Sequence, residues 1–176
     1  MQNKKTLAEL AIGESFKIGD FEFVKFRESN GESAIIAKHP VFEMRLGESN
    51  DYRESDIKTR LENEILPIIE REIKAENVVK HELDLRALDG SDEYGKIHCK
   101  VSLPTLDFLR NNAELYKKVF KDTWSWTATP LSTRKYGWKH SVLCVSPLGD
   151  INSYGYDYYF GVRPFCILKS NIFVSS

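Results

Sequence analysis

The chain has 176 residues, 41% hydrophobic and 29% charged, with 25 Lys+Arg against 26 Asp+Glu. That is the length and balance of one globular domain able to bury a core without staples, and no apolar run approaches the ~20 residues of a membrane span. Residues 1–100 hold 16 basic and 21 acidic side chains, residues 101–176 hold 9 and 5, and an acidic front half argues against direct nucleic-acid binding, which needs a basic footprint.

Met1-Gln2-Asn3-Lys4-Lys5 is followed by no apolar h-region, so a secretory signal is not expected and a cytosolic location is. Region 14–48 reads as β-hairpins. Gly13-Glu14-Ser15-Phe16-Lys17 and Phe21-Glu22-Phe23-Val24-Lys25-Phe26 alternate around Gly19-Asp20, and Asn30-Gly31 turns into a strand through Ala34–Ala37. A helix is predicted over 55–75. Ser55 is its cap, Asp56 sits at the positive dipole end, and Ile57, Leu61, Ile65, Ile68/Ile69 and Ile73 form its apolar stripe. Pro67 must kink this helix or open a second one.

Region 78–120 reads as strands, then helix. Val79, His81, Leu83 and Leu85 alternate with charged residues, Asp89-Gly90 turns, and Ile97, Cys99, Val101 and Leu103 share a face. Thr105 then caps a helix carrying Leu106, Phe108 and Leu109, with Leu115, Tyr116 and Val119 continuing the apolar pattern. From Trp124 to Val174 the chain returns to short strands and long loops. The whole of 1–176 is expected to be a single α+β domain: twisted antiparallel sheets, two main helices and a loop-rich aromatic C-terminal region.

Four segments carry a resemblance. Arg53-Glu54-Ser55-Asp56-Ile57, Leu103-Pro104-Thr105-Leu106-Asp107, Trp124-Ser125-Trp126-Thr127-Ala128 and Gly161-Val162-Arg163-Pro164 together resemble a phage- and prophage-associated domain of unknown function. That domain is itself similar to the C-type-lectin-like and formylglycine-generating-enzyme-like folds. The likeness spans roughly residues 14–174. It implies a C-type-lectin-like aromatic region, a location in the cytoplasm of a bacterial host, and no catalytic residues. A host protein is the expected partner, most concretely a defence protein such as a CRISPR effector nuclease that the chain would inhibit. A virion-associated receptor or glycan binder is the alternative, and a zinc-containing enzyme of unrecognised type a third.

The residues themselves show no active site. Cys99, Cys144 and Cys166 lack C-x-x-C spacing and read as buried free thiols. His39, His81, His98 and His140 form no H-x-x-x-H motif, so no cofactor is expected, although a structural zinc assembled from distant segments stays open. The carboxylate pairs Glu62/Glu64 and Asp92/Glu93 read as solvated charge. No Glu-Pro-Asn tripeptide supports calcium-dependent sugar binding.

The binding candidates are Tyr136, Trp138, Tyr154, Tyr156, Tyr158 and Tyr159, set among Gly, Ser, Asn, Lys and Asp as in adaptable recognition loops. Arg134, Lys135 and Lys139 form a local basic patch among them. Trp124 and Trp126 share a strand face and are expected in the core. Arg163, between apolar neighbours, is expected to be structural, clamping Asp51, Glu54 or Asp56 of the 50–56 loop.

Overall fold

A computed structural model describes residues 4–121 and 123–176. The chain opens with β1 (Lys4–Thr6), β2 (Ser15–Ile18), β3 (Phe21–Ser29) and β4 (Glu32–Ala37). The β3–β4 turn places Asn30 and Gly31 at φ 53° and 76°, the two positive angles of a type I′ hairpin turn, which is why Asn-Gly stands there. After β5 (Phe42–Met44) come the helices α1 (Asp56–Arg60) and α2 (Leu66–Ile73). Ser55 Oγ accepts from the Lys58 N–H at 3.0 Å, as its cap position requires.

A π-helical turn, Leu61–Ile65, joins α1 to α2. Pro67 lacks the N–H that would bond back one turn, and Leu66 N–H donates instead to Leu61 O, five residues back. The predicted disruption at Pro67 therefore takes the form of a widened turn, with α2 starting one residue before the proline. Ile57, Leu61, Ile65 and Ile69 are buried, and each contributes about 2 kcal/mol of apolar burial.

The chain continues through β6 (Val78–Val79), β7 (His81–Asp84) and β8 (Lys96–Cys99) into α3 (Leu106–Asn111) and α4 (Ala113–Val119). Thr105 Oγ1 caps α3 by accepting from Phe108 N–H at 3.2 Å. The single helix predicted after Thr105 is broken at Asn112, whose backbone leaves the helical region at φ −129° and ψ 40°. The last third supplies β9 (Ser125–Pro130), β10 (Ser141–Val145), β11 (Ile151–Gly155), β12 (Phe160–Val162), β13 (Phe165–Lys169) and β14 (Phe173–Ser175).

These strands form a seven-stranded sheet, β1-β14-β2-β3-β4-β13-β6, a five-stranded sheet, β11-β10-β9-β12-β5, and the pair β7-β8. All pairings are antiparallel except β12 against β9, where Gly161 stands opposite Ser125. A side chain at Gly161 has no room: its Cβ would lie 2.6 Å from Pro40 Cγ and 2.9 Å from the Trp124 carbonyl. The architecture is α+β, as the order of elements implied. No helix is long and apolar enough to cross a membrane among the described residues.

The long sheet is covered on both faces, and β4 shows it. Ile35 and Ala37 point into the larger core with the α1–α2 stripe and Trp126. Ala34 and Ile36 point into a smaller core closed by Leu109, Tyr116 and Phe120 of the α3–α4 segment. A strand buried on both faces reads as a continuous apolar run, here Ala34–Ala37. Only two residues, Arg163 and Pro164, separate β12 in one sheet from β13 in the other. Arg163 thus lies on the seam between the sheets.

Candidate functional site

The β9–β10 loop and the start of the β11–β12 connection lie at one end of the five-stranded sheet, and that connection then runs to Phe160, beside Trp124 just before β9. The register fixes this, since Ser141 at the start of β10 pairs with Gly155 at the end of β11. The two loops are joined there, with Tyr156 N–H donating to His140 O at 2.9 Å and the His140 and Tyr156 rings stacked 5.0 Å apart.

By exposure the six predicted binding residues separate into two sets. Tyr136, Trp138, Tyr158 and Tyr159 are 58%, 53%, 51% and 67% exposed. Tyr154 and Tyr156 are half-buried and pack within the fold. Tyr154 meets Trp124 edge to face at 5.2 Å and Tyr158 at 5.1 Å, while Trp124 stacks on Phe160 at 5.3 Å. Trp126 is fully buried, and its indole N–H donates to Met44 O at 2.9 Å. Trp124 lies just outside β9 and is only partly buried, so it supports the turn from below rather than filling the core.

The loop carrying Tyr136 and Trp138 is held by a residue that sequence reasoning missed. Asn50 is fully buried, and its side-chain amide donates to Ser132 O at 2.8 Å, Trp138 O at 2.9 Å and Ser141 O at 3.1 Å. Its Oδ1 accepts from Tyr94 OH at 2.6 Å, and its backbone N–H donates to Lys139 O at 2.8 Å. One asparagine therefore ties down both ends and the tip of a ten-residue excursion between Pro130 and Ser141. Gly137, at φ 77°, closes the tip with a bond from its N–H to Arg134 O.

Salt bridges brace the frame from outside. Arg134 donates to Asp51 at 3.3 Å, to Ser49 Oγ at 3.0 Å, and to Glu54. Burial acts to lower the Arg134 pKa, but the bond to Glu54 and the charges of Glu54 and Asp51 outweigh it and raise the value. Arg53 grips the same Asp51 at 2.7 Å, and both guanidinium groups lie over the Tyr94 ring, at 5.3 and 5.8 Å from its centroid. On the far side Lys135 N–H donates to Glu93 at 2.7 Å, which holds that carboxyl below its usual range. Of the basic patch expected here, Arg134 is thus consumed within the fold, whereas Lys135 and Lys139 stay exposed beside the aromatic rings.

Arg163 does not clamp the 50–56 loop; Arg134 does. Arg163 Nε donates to Ser125 Oγ at 2.9 Å, and Nη1 donates to Lys38 O with longer contacts to Ala37 O and Val119 O. The Phe120 ring lies under the guanidinium, 4.5 Å away. Backbone carbonyls and the Ser125 hydroxyl stand where carboxylates were expected.

One constellation in the core has the composition of a nucleophilic site. His81 Nε2 lies 2.9 Å from Ser102 Oγ and 3.6 Å from Cys99 Sγ. Ser102 is fully buried, and its hydroxyl also lies 2.9 Å from the Leu103 carbonyl, which can accept its proton. Burial drives the His81 pKa down to about 4, and burial raises all three thiols, Cys99 to about 11 and Cys144 to about 12. The thiols and the His81 ring are thus held in their neutral forms, and His81 lines a small cleft of about 260 Å³ beside Leu103 and Phe165. Glu62 and Glu64 pair with Lys58 and Arg60 along the helix surface at 2.8 and 2.7 Å. Among the described residues no three of His, Cys, Asp and Glu converge as a metal-binding group.

Tyr136 and Trp138, with the exposed Lys135 and Lys139, thus stand on a loop pinned from beneath by Asn50, while Tyr158 and Tyr159 stand on the β11–β12 connection. Such a surface can bury apolar area and accept polar contacts at its rim. Comparison with protein-family models, with curated proteins and with solved structures finds no match.

Proposed function

We propose that this chain is a non-enzymatic protein-binding module that docks through Tyr136, Trp138, Tyr158 and Tyr159. The observation carrying this reading is the combination of exposure and fixation. All four rings are more than half exposed, while the loop bearing Tyr136 and Trp138 is pinned by the buried Asn50. Tyr and Trp at the centre of an interface are each worth ~2 kcal/mol or more. A loop already ordered in the free protein avoids the ordering penalty of about 0.5–1.5 kcal/mol per immobilised side chain on association. Evenly distributed packing needs neither feature.

The partner class follows from the phage-associated likeness: a bacterial defence protein, with a type II CRISPR effector nuclease as the first case. Asp51 and Glu54 are engaged by Arg134 and Arg53, so this reading puts the aromatic rim, flanked by Lys135 and Lys139, at the centre of contact and leaves those acidic groups to hold it in place. The test is capture by the tagged protein from a lysate containing the effector, beside a Trp138→Ala/Tyr158→Ala double variant. Both side chains are exposed, so the variant should melt within a few degrees of the parent. Stoichiometric recovery of the effector by the parent and its loss with the variant is the expected result. Equal recovery by both would remove the aromatic rim from the interface. Failure to recover the effector, with binding on a glycan array, would move the chain to the receptor-binding reading.

A further inference from the structure

A second surface lies by the start of β9, away from the loop that bears Tyr136 and Trp138. There a cleft of about 730 Å³ opens between the start of β2, the β4–β5 connection and the end of α4. Its volume falls within the roughly 300–1,000 Å³ typical of small-molecule sites. Its floor is Arg163, 1% exposed. Nε and Nη1 are used by Ser125 and by backbone carbonyls, while Nη2 has no hydrogen-bond partner among the described residues. Nor does any carboxylate among them form an ion pair with this guanidinium. A buried charge answered among the described residues by dipoles and the Phe120 ring is costly, and a counter-ion from outside would relieve it. Burial lowers the Arg163 pKa to about 10, so the group remains charged at neutral pH.

The walls reinforce that charge. Lys38, Lys118 and Lys121 line the cleft with Arg163, against Glu14 as the lining carboxylate. Glu14 is turned to the Ala11 N–H at 2.8 Å, and Glu22 behind the wall pairs with Lys38 at 3.1 Å and lies 3.8 Å from the lining His39. Lys118 and Lys121 are exposed and take part in no ion pair among the described residues. One side of the cleft is apolar, formed by Ile12, Val24 and Leu115. Among the described residues the lining holds more positive than negative charge, which suits a dianion better than a monoanion, and the apolar side asks for more than a bare ion.

We infer that this cleft binds a phosphomonoester carried on an apolar body, its phosphate held by Arg163 Nη2 and the ammonium groups of Lys38, Lys118 and Lys121. The site is separate from the loop that bears Tyr136 and Trp138 and does not depend on how that loop is used.

The test is a titration of isotope-labelled protein at constant ionic strength with phenyl phosphate, inorganic phosphate and benzoate, followed by the Arg163 Nε–Hε resonance. Phenyl phosphate should saturate, moving that resonance together with the amides of residues 12–15 and 118–121. Inorganic phosphate and benzoate should each bind at least roughly tenfold more weakly, lacking the apolar body and the second charge respectively. Because Arg163→Lys disturbs the seam between sheets, the affinity variant is Lys118→Glu/Lys121→Glu, at exposed positions. It should weaken phenyl phosphate at least roughly tenfold with an unchanged melting temperature. An unmoved Nε–Hε resonance, equal affinity in the variant, or equal affinity for all three anions would each overturn the proposal.

Discussion

Replacing Asn50 by Ala removes four side-chain contacts of 2.6–3.1 Å at a fully buried position. The two amide hydrogens are shared among three carbonyls, so the loss is closer to three full hydrogen bonds than to four. At about 1 kcal/mol net each, this comes to about 3 kcal/mol. Water can reach the Trp138 carbonyl on the exposed loop, but the Ser132 carbonyl and Tyr94 hydroxyl are left in buried surroundings, so the figure should not fall below about 2 kcal/mol. For a chain of this length, each kcal/mol lowers the melting temperature by roughly 2–4 °C, giving a fall of about 9 °C. Calorimetry measures it, and hydrogen exchange at residues 132–141 locates it. Asn50→Asp separates donor from acceptor. It keeps the oxygen that Tyr94 needs but turns a carboxylate toward three carbonyls, and it should be at least as damaging as Ala. A melting temperature within 2 °C of the parent for either variant, with unchanged exchange in the loop, would refute the claim that Asn50 holds that loop.

Two further outcomes follow from groups buried in the core. His81, neutral in the fold with a pKa near 4 against an ordinary 6.5, makes its contribution in full above pH 6.5. The unfolded chain takes up the proton first, so that contribution drains away between pH 6.5 and 4, by at most about 3 kcal/mol. Glu22 and Glu28, held below their usual range, also lose stability as the pH falls, so the comparison is between His81→Gln and the parent. Urea unfolding at pH 7 and 4.5 should show a smaller loss in the variant, and parallel losses would refute the assignment. The three cysteines, all buried and raised by burial, should resist a disulfide reagent at pH 8 until guanidinium unfolds the chain. A thiol that labels within minutes in the native protein would contradict that burial.

Local patterns carried most of the fold because their causes are local. The Asn30-Gly31 turn is legible since two adjacent positive φ angles favour those residues, and Ser55 and Thr105 are legible since each serves an N–H three residues ahead. The aromatic candidates were legible as a group by their polar neighbours. Their division was not, because Tyr154 and Tyr156 are covered by Trp124 and His140, which the register brings in from other segments. Arg163 is the instructive case. Its apolar neighbours showed correctly that it needed partners, and the search for a carboxylate then led to the wrong loop. Its acceptors are mainly backbone carbonyls at residues 37, 38 and 119. Asn50 repeats the pattern, donating to carbonyls 82 to 91 residues away, and Lys25 repeats it in part, its buried ammonium donating to Leu7 O and Leu10 O beside an ion pair with Glu28 at 3.3 Å. A carbonyl is offered by every residue, so the identity of the partner leaves no trace in the sequence. Buried donors of this kind can be recognised in the sequence only as polar residues with an unmet need, and Asn50 and Arg163 show where the fold meets it: beneath the β9–β10 loop and on the seam between the sheets.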